Sequence, residues 1–251
     1  MDIDTYINSP LPCDAELGEY FRDSPALTIF EIGACEGEDT IKLRRKFPEA
    51  KIYAFEPLPK NVGRMKKNYE KYSAKNIKIF ELALSDKNGT AEFHVSSGHP
   101  DDQPKTDKWD YGNKSSSLLP PKEHKKILKW VKFNQDIKVR TRRLDSFCKD
   151  ESIKAIDFAF IDVQGAELMV LKGAGDILKN IGMVWMEVEA IELYSGQPLK
   201  NDVEKFMLGN GFVKINDTVD NISGDQLYVN KRLYKKQIGL FSRVIKRIAS
   251  K

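Results

Sequence analysis

Acidic residues stand at the ends of apolar runs in this chain, beside glycines and turns, and their spacing suggests chemistry at strand tips. Residues 28–37, Thr-Ile-Phe-Glu-Ile-Gly-Ala-Cys-Glu-Gly, read as a buried strand, a glycine turn and the start of a helix. A second apolar run ends in Ala54-Phe55-Glu56-Pro57. A strand, glycine turn and helix followed by an acid-tipped strand is an α/β arrangement for holding a nucleoside. The glycines narrow the choice. Dinucleotide sites use G-x-G-x-x-G to press backbone N–H groups against a pyrophosphate, whereas Gly33 and Gly37 stand four apart with Ala34-Cys35-Glu36 between them. Glu36 in that turn would repel a pyrophosphate and suits a cationic ligand. S-adenosylmethionine is one: it carries a sulfonium and an ammonium, has no phosphate, and its ribose diol wants a carboxylate such as Glu56. The expected cofactor contacts are Glu31, Gly33, Ala34, Gly37 and Glu56, with Ala83, Ser85, Asp86 and Asp162 from later strand ends.

The run Phe158-Ala-Phe-Ile-Asp-Val-Gln-Gly-Ala-Glu167 delivers Asp162 at a strand tip, with Gly165 permitting a close turn into a helix. Glu167 falls in the first helical turn, where a carboxylate favours the helix dipole by about 0.3–1 kcal/mol. Asp162 is the first candidate for a general base or acceptor-orienting group. Glu187 and Glu189, two apart on the next strand and so on one face, come second. Three carboxylates on two strand tips could also share one Mg²⁺, although the acids at 187 and 189 equally suit a solvated strand end. The histidines, His94, His99 and His124, show no carboxylate at pairing distance in sequence and rank below Asp162.

The elements that must position these groups alternate regularly. Strands are expected at 28–33, 51–56, 77–84, 90–95, 137–141, 156–162, 183–189, 212–216 and 225–230. Helices are expected at 14–22, 38–46, 59–72, 122–132, 165–179 and 201–209, the first covering one edge of the sheet. Such alternation predicts a Rossmann-like, doubly wound, mostly parallel sheet of about seven strands with helices on both faces. Residues 96–121 read as a long loop, either a lid carrying Trp109, Tyr111 and Ser115 to Leu118 or a disordered segment. The chain divides into an extension at 1–27, the main domain at 28–230 and a tail at 231–251.

With 251 residues and 41% hydrophobic content the chain can bury one sizeable core. Three scattered cysteines without a CxxC pair argue for a reducing compartment and against zinc or disulfides. No signal peptide or membrane-spanning run is evident, and a cytoplasmic protein is expected. The net charge of +4 conceals an asymmetry, because the tail holds eight basic residues and no acid, leaving −4 on the remainder. Tyr234, Ile238, Phe241, Ile245 and Ile248 recur at helical spacing in that tail. A basic amphipathic helix of this kind could lie on the inner face of an anionic membrane or dock on the body. The interleaved aromatics and basic stripe of a nucleic-acid partner are lacking.

Asp-Val-Gln-Gly-Ala-Glu-Leu-Met-Val-Leu-Lys-Gly-Ala at 162–174 resembles the signature of FkbM-type S-adenosylmethionine-dependent methyltransferases. Phe30 to Gly37, Phe55-Glu56-Pro57, Ala83 to Asp86 with Gly89, Ser115 to Leu118, Val139 to Phe147, Glu187 to Glu189 and Leu193-Tyr194 fit the same pattern, in order, over about 28–230. Cys35 stands where a small polar residue is frequent, and Gln164 where Glu is. The resemblance implies a methyltransferase fold and O-methylation of a sugar, glycan or polyketide-type product. The competing readings are an NAD-dependent oxidoreductase, disfavoured by the missing middle glycine, and a non-catalytic binding protein, disfavoured by the presence of Glu56 and Asp162.

Overall fold

The computed structural model describes residues 2–24, 26–101, 103 and 110–236, with Lys125 represented by its backbone. Two short helices, α1 (Ile3–Asn8) and α2 (Asp14–Phe21), precede β1 (Thr28–Ile32), α3 (Glu38–Lys46), β2 (Lys51–Phe55), α4 (Pro59–Lys71) and β3 (Ile77–Phe80). Then come β4 (Ala83–Ser85), β5 (Gly89–Gly98), α5 (His124–Ile127), β6 (Val131–Arg143), α6 (Leu144–Asp150), β7 (Ile156–Ile161) and α7 (Glu167–Gly173). The chain closes with β8 (Ile181–Glu189), α8 (Lys200–Gly209), β9 (Phe212–Asp217) and β10 (Ser223–Asn230), after which 231–236 are helical.

Seven strands form the main sheet in the order β3-β2-β1-β7-β8-β10-β9. The first five are parallel, and β10 runs antiparallel to both neighbours. Chain order reverses between β1 and β7, which opens a crevice beyond their carboxyl ends. Both faces of the sheet are buried because successive side chains alternate. Ile29, Phe158, Phe160, Met183 and Trp185 face α2 and α3, with Phe160 and Trp185 stacked at 4.0 Å. Phe30, Phe55, Ala159, Val184 and Met186 face α6, α7 and α8. Helix α2 therefore lies on a sheet face through Leu17 and Phe21, not along an edge.

Other expectations shift for physical reasons. The strand expected at 77–84 breaks after Phe80, where Leu82 N–H bonds the Phe80 carbonyl at 3.0 Å. Its second half becomes β4, in a separate three-stranded sheet ordered β4-β6-β5. The helix expected at 122–132 is confined to α5, because Val131 to Phe133 pair with β5 instead. The helix expected at 165–179 ends at Gly173, and a 3-10 turn over Gly175–Asn180 follows. Gly173 is needed there: a Cβ would overlap the Ser85 carbonyl. Of the expected long loop, 96–98 extend β5, Gly112–Ser115 form a 3-10 turn, and Ser117 pairs with His94. Trp109 lies outside the described residues, as do Ile238, Phe241, Ile245 and Ile248 of the tail face; Tyr234 packs beside Leu233 on the α2 side of the sheet. No helix among the described residues is long and apolar enough to cross a membrane.

An aromatic cluster locks the crevice strands to α6. The Phe147 ring meets Phe30, Phe55 and Phe80 edge-on at 5.9, 4.8 and 4.7 Å. Truncating a buried ring costs about 3–5 kcal/mol in lost transfer energy and cavity formation. Phe147→Ala should lower the urea unfolding free energy by about that amount; a change under about 1 kcal/mol would show that the cluster collapses around the gap.

Candidate functional site

A cavity of about 380 Å³ occupies the crevice at the chain reversal. Its floor is the turn that follows β1. Gly33 adopts φ +91° there, and a Cβ would overlap the Asp162 carbonyl at the tip of β7. The close approach of β1 and β7 thus requires glycine. Gly33 and Ala34 N–H groups bond the Phe55 carbonyl at 3.0 and 2.9 Å, fixing the turn to the tip of β2. Gly37 caps α3 at φ +80°, directly against the Tyr69 ring.

Glu56 follows β2 and is buried. One carboxyl oxygen accepts the Cys35 N–H at 3.0 Å and the other the Leu58 N–H at 2.8 Å. With Asn61 as a further partner, the carboxyl still has acceptor capacity that a ribose hydroxyl could use. Burial pushes Glu56 up to about 8, against those backbone donors. Glu31, also buried and raised well above the carboxylate range by desolvation, accepts the Thr40 hydroxyl, which in turn accepts from Tyr69 at 2.7 Å. Ala83 completes the set of expected contacts on the wall, and Phe55, Leu82, Phe93, Leu118 and Phe160 supply its apolar surface.

Of the residues expected to bind cofactor, Glu31, Gly33, Ala34, Glu56, Ala83 and Asp162 line the cavity; Gly37, Ser85 and Asp86 do not. Ser85 is buried against Gly173, and the Asp86 carbonyl accepts from Arg143 at 3.0 Å. Glu36 is corrected too. Its carboxylate turns away from the cavity and accepts from Arg64 at 2.6 Å and Asn113 at 3.0 Å. The acids that face the cavity from this stretch are Glu38 and Asp39, from the first turn of α3.

Asp162 lines the opposite wall. Gln164, held at φ +55°, spends one amide N–H on Asp162 Oδ1 at 2.8 Å and the other on Glu187 Oε2 at 2.9 Å. Its amide oxygen accepts the Tyr194 hydroxyl at 3.0 Å. Burial raises Asp162 to about 6, and raises Glu187 and Glu189 further, each also feeling a neighbouring carboxylate. Glu187 and Glu189 do not line the cavity; Glu189 instead accepts from Gln197 at 2.7 Å. The shared Mg²⁺ is therefore not supported: amides intervene between these acids, and no group of three His, Cys, Asp or Glu among the described residues could hold a metal ion. Glu167 is spent on its own turn, accepting the Val163 N–H at 3.0 Å. His94 does have a carboxylate partner, Asp136 at 2.7 Å across the β5–β6 register. That pair sits on the strand position adjacent to the cavity-facing Phe93, not on the wall.

Several wall residues escaped the sequence reading. Tyr6 of α1 reaches the cavity and donates to Asp39 at 2.9 Å, with the Lys42 ammonium 3.7 Å from its ring centre. The helix was legible in the Asp2 cap and the Ile3–Ile7 spacing. Asn113 and Lys114 come from the segment between β5 and β6. Asn113 bonds Asn61 at 2.7 Å, and Lys114 pairs with Glu38. Tyr194 is buried in the core, and it ties that segment down by donating to the Ser115 carbonyl at 2.8 Å.

These buried acids have a consequence for stability. Glu56 is raised in the folded chain from the ordinary carboxylate value of 4.5 to about 8, so folding is favoured most below that ordinary value. The contribution is lost as pH rises through about 8. The ligand-free urea midpoint should fall between pH 5 and about 8, and Glu56→Gln should flatten the fall; equal slopes in the two proteins would remove Glu56 as its source.

The arrangement can hold a cationic nucleoside: an acid for a diol, apolar walls for a base, further acids for positive charge, and no anion-binding glycine array for a pyrophosphate. Comparison with known proteins agrees. A family profile for the methyltransferase FkbM domain matches residues 31–214. The 2-O-methyltransferase NoeI of Sinorhizobium fredii is 33% identical over 212 residues, covering 84% of this chain and 82% of that protein. Methyltransferase sdnD of Sordaria araneosa is 25% identical over 209 residues, 73% of each chain. Among solved structures, magnesium protoporphyrin IX methyltransferase from Synechocystis PCC 6803 with bound SAM aligns at 12% identity and a TM-score of 0.47, over 91% of this chain and 79% of that one. The oxidoreductase and non-catalytic readings give way to the family match and the relationship to NoeI. The chain belongs to the FkbM family and is an S-adenosylmethionine-dependent methyltransferase.

Proposed function

We propose that the chain methylates a hydroxyl oxygen of a sugar, a glycan precursor or a related metabolite, with Asp162 taking the hydroxyl proton. The observation that carries this reading is Asp162 itself, a carboxylate on the cavity wall with one oxygen anchored by the Gln164 amide. The relationship to a 2-O-methyltransferase supports oxygen as the nucleophile. When bound, S-adenosylmethionine would supply an electrophilic methyl group, with the neutral thioether as its leaving group.

The protein's share of the chemistry is to hold, align and deprotonate. In this reading Glu56 and the glycine turn hold the ribose, and the apolar wall of Phe93, Leu118 and Phe160 keeps water from the methyl group. Alignment of the reactants can contribute about 7–11 kcal/mol. An alcohol must also lose its proton, and a placed base contributes about 10²–10⁴-fold. Asp162, raised only to about 6, is ionised at neutral pH and can accept that proton. Glu187, held higher and tied to the same amide, supports it from behind.

Two variants separate binding from chemistry. Asp162→Asn should bind S-adenosylhomocysteine within about twofold of wild type while turnover falls about 10²–10⁴-fold, followed as S-adenosylhomocysteine release with free sugars, nucleotide sugars and lipid-linked saccharides. Glu56→Gln should weaken that nucleoside about tenfold, because the amide replaces one carboxyl acceptor of the ribose diol with a donor. Methylation confined to amine or carbon acceptors, or near-normal turnover by Asp162→Asn, would refute the proposal.

A further inference from the structure

Charge is unevenly distributed around the cavity. Five carboxylates line it, from Glu31, Glu38, Asp39, Glu56 and Asp162, against a single basic side chain among the described residues, Lys114. The other four acids are held by the Thr40 hydroxyl, by the Tyr6 hydroxyl and the Lys42 ammonium, by two backbone amides, and by the Gln164 amide. Glu38 pairs with Lys114, the basic residue on the cavity wall. The two approach from different elements, Glu38 from the first turn of α3 and Lys114 from the 3-10 turn between β5 and β6. Burial opposes the Lys114 charge, yet Glu38, with Cys35 and Glu36 beside it, holds the ammonium above its ordinary range.

The glycine turn relates this pair to the nucleoside end. Cys35 N–H bonds Glu56 and the next amide, Glu36 N–H, bonds Glu38 at 3.0 Å. One turn therefore anchors both acids by adjacent amides, and both line the same cavity, so a ligand whose diol meets Glu56 has Glu38 on the same wall. We infer that Glu38 and Lys114 are the receiving site for the zwitterionic amino-acid head of the cofactor, Glu38 taking its ammonium and Lys114 its carboxylate. The inference rests on the placement of the ribose at Glu56 proposed above. A zwitterion can enter an ion pair without adding net buried charge, because each new contact joins opposite signs; an uncharged head would only separate the pair, and a lone charge would leave one partner uncompensated. Recognition of the head would then be split, its ammonium met from α3 and its carboxylate from the segment between β5 and β6.

The test compares two nucleosides that differ in the head alone. Purified wild type, Lys114→Met, Lys114→Arg and the charge-neutral Glu38→Gln/Lys114→Met double variant are titrated calorimetrically with S-adenosylhomocysteine and with 5′-methylthioadenosine, which lacks the amino-acid head. Wild type should prefer the former by at least tenfold. Lys114→Met should lose at least tenfold in S-adenosylhomocysteine affinity, as expected for a lost charged hydrogen bond, with 5′-methylthioadenosine unchanged within about twofold. Lys114→Arg should restore most of the preference. The double variant, which leaves no unpaired charge to disturb folding, should bind both nucleosides alike. Equal weakening of both ligands in Lys114→Met, or a preference that survives the double variant, would overturn the inference while leaving the cofactor reading intact. Failure of wild type to bind either nucleoside would instead overturn the cofactor reading, and this inference with it.

Discussion

Five carboxylates around one small cavity are the constraint on which the rest of this structure depends. An ionised carboxylate removed from water is costly unless it is paired, hydrogen-bonded or neutralised by a proton. Each of the five meets a different answer, and each answer requires a separate element to be in place. Glu56 needs the glycine turn and the Leu58 amide, Glu31 needs α3, and Asp39 needs Tyr6 from α1. Glu38 needs Lys114, and Asp162 needs Gln164. Helix α1, unremarkable in length, is thereby fixed by the electrostatics of the site as well as by the packing of Ile3 and Ile7. A cationic ligand would draw these acids toward their charged forms, so binding and folding share the same groups.

The three-stranded sheet serves this arrangement from above. Strands β5 and β6 carry between them the segment whose 3-10 turn brings Asn113, Lys114 and Ser115 down to the glycine turn and Tyr194. Ser117 bonds the Gln164 carbonyl at 2.7 Å, so the same segment also reaches the Asp162 side. Gly112 lies against the backbone of Ser97 and Gly98, leaving no room for a Cβ. The segment is consequently bonded to both walls of the cavity.

What could be read from the sequence follows from the range of the interactions concerned. The strand, glycine turn and helix around Gly33, the tip at Glu56 and the tip at Asp162 are local patterns, and the structure has the expected elements there. The main sheet was legible for the same reason, since buried parallel strands are continuous apolar runs. Register and sheet membership are not local. Residues 77–85 look like one strand because nothing in them reports that Ala83 will find Thr141 as its partner. Glu36 and Glu38 are both acids in one short stretch, and Arg64 and Asn113, 28 and 77 residues away, take up the buried Glu36 carboxylate. Lys114 was one lysine among many until the fold set it opposite Glu38.

The amides at the second strand tip explain why three acids there need not gather a metal. An amide nitrogen offers two donors and its oxygen none, so Gln164 between Asp162 and Glu187 must present its nitrogen to both. The two carboxylates set that orientation, because a flipped amide would turn its oxygen against both of them. Gln197 performs a similar service for Glu189. Where an acid at position 164 would add charge and invite a proton or a cation, glutamine adds none and leaves Asp162 the lowest-lying of the group. The division follows directly: Asp162 is the carboxylate most readily ionised at neutral pH, and it is also the one of the three that faces the cavity.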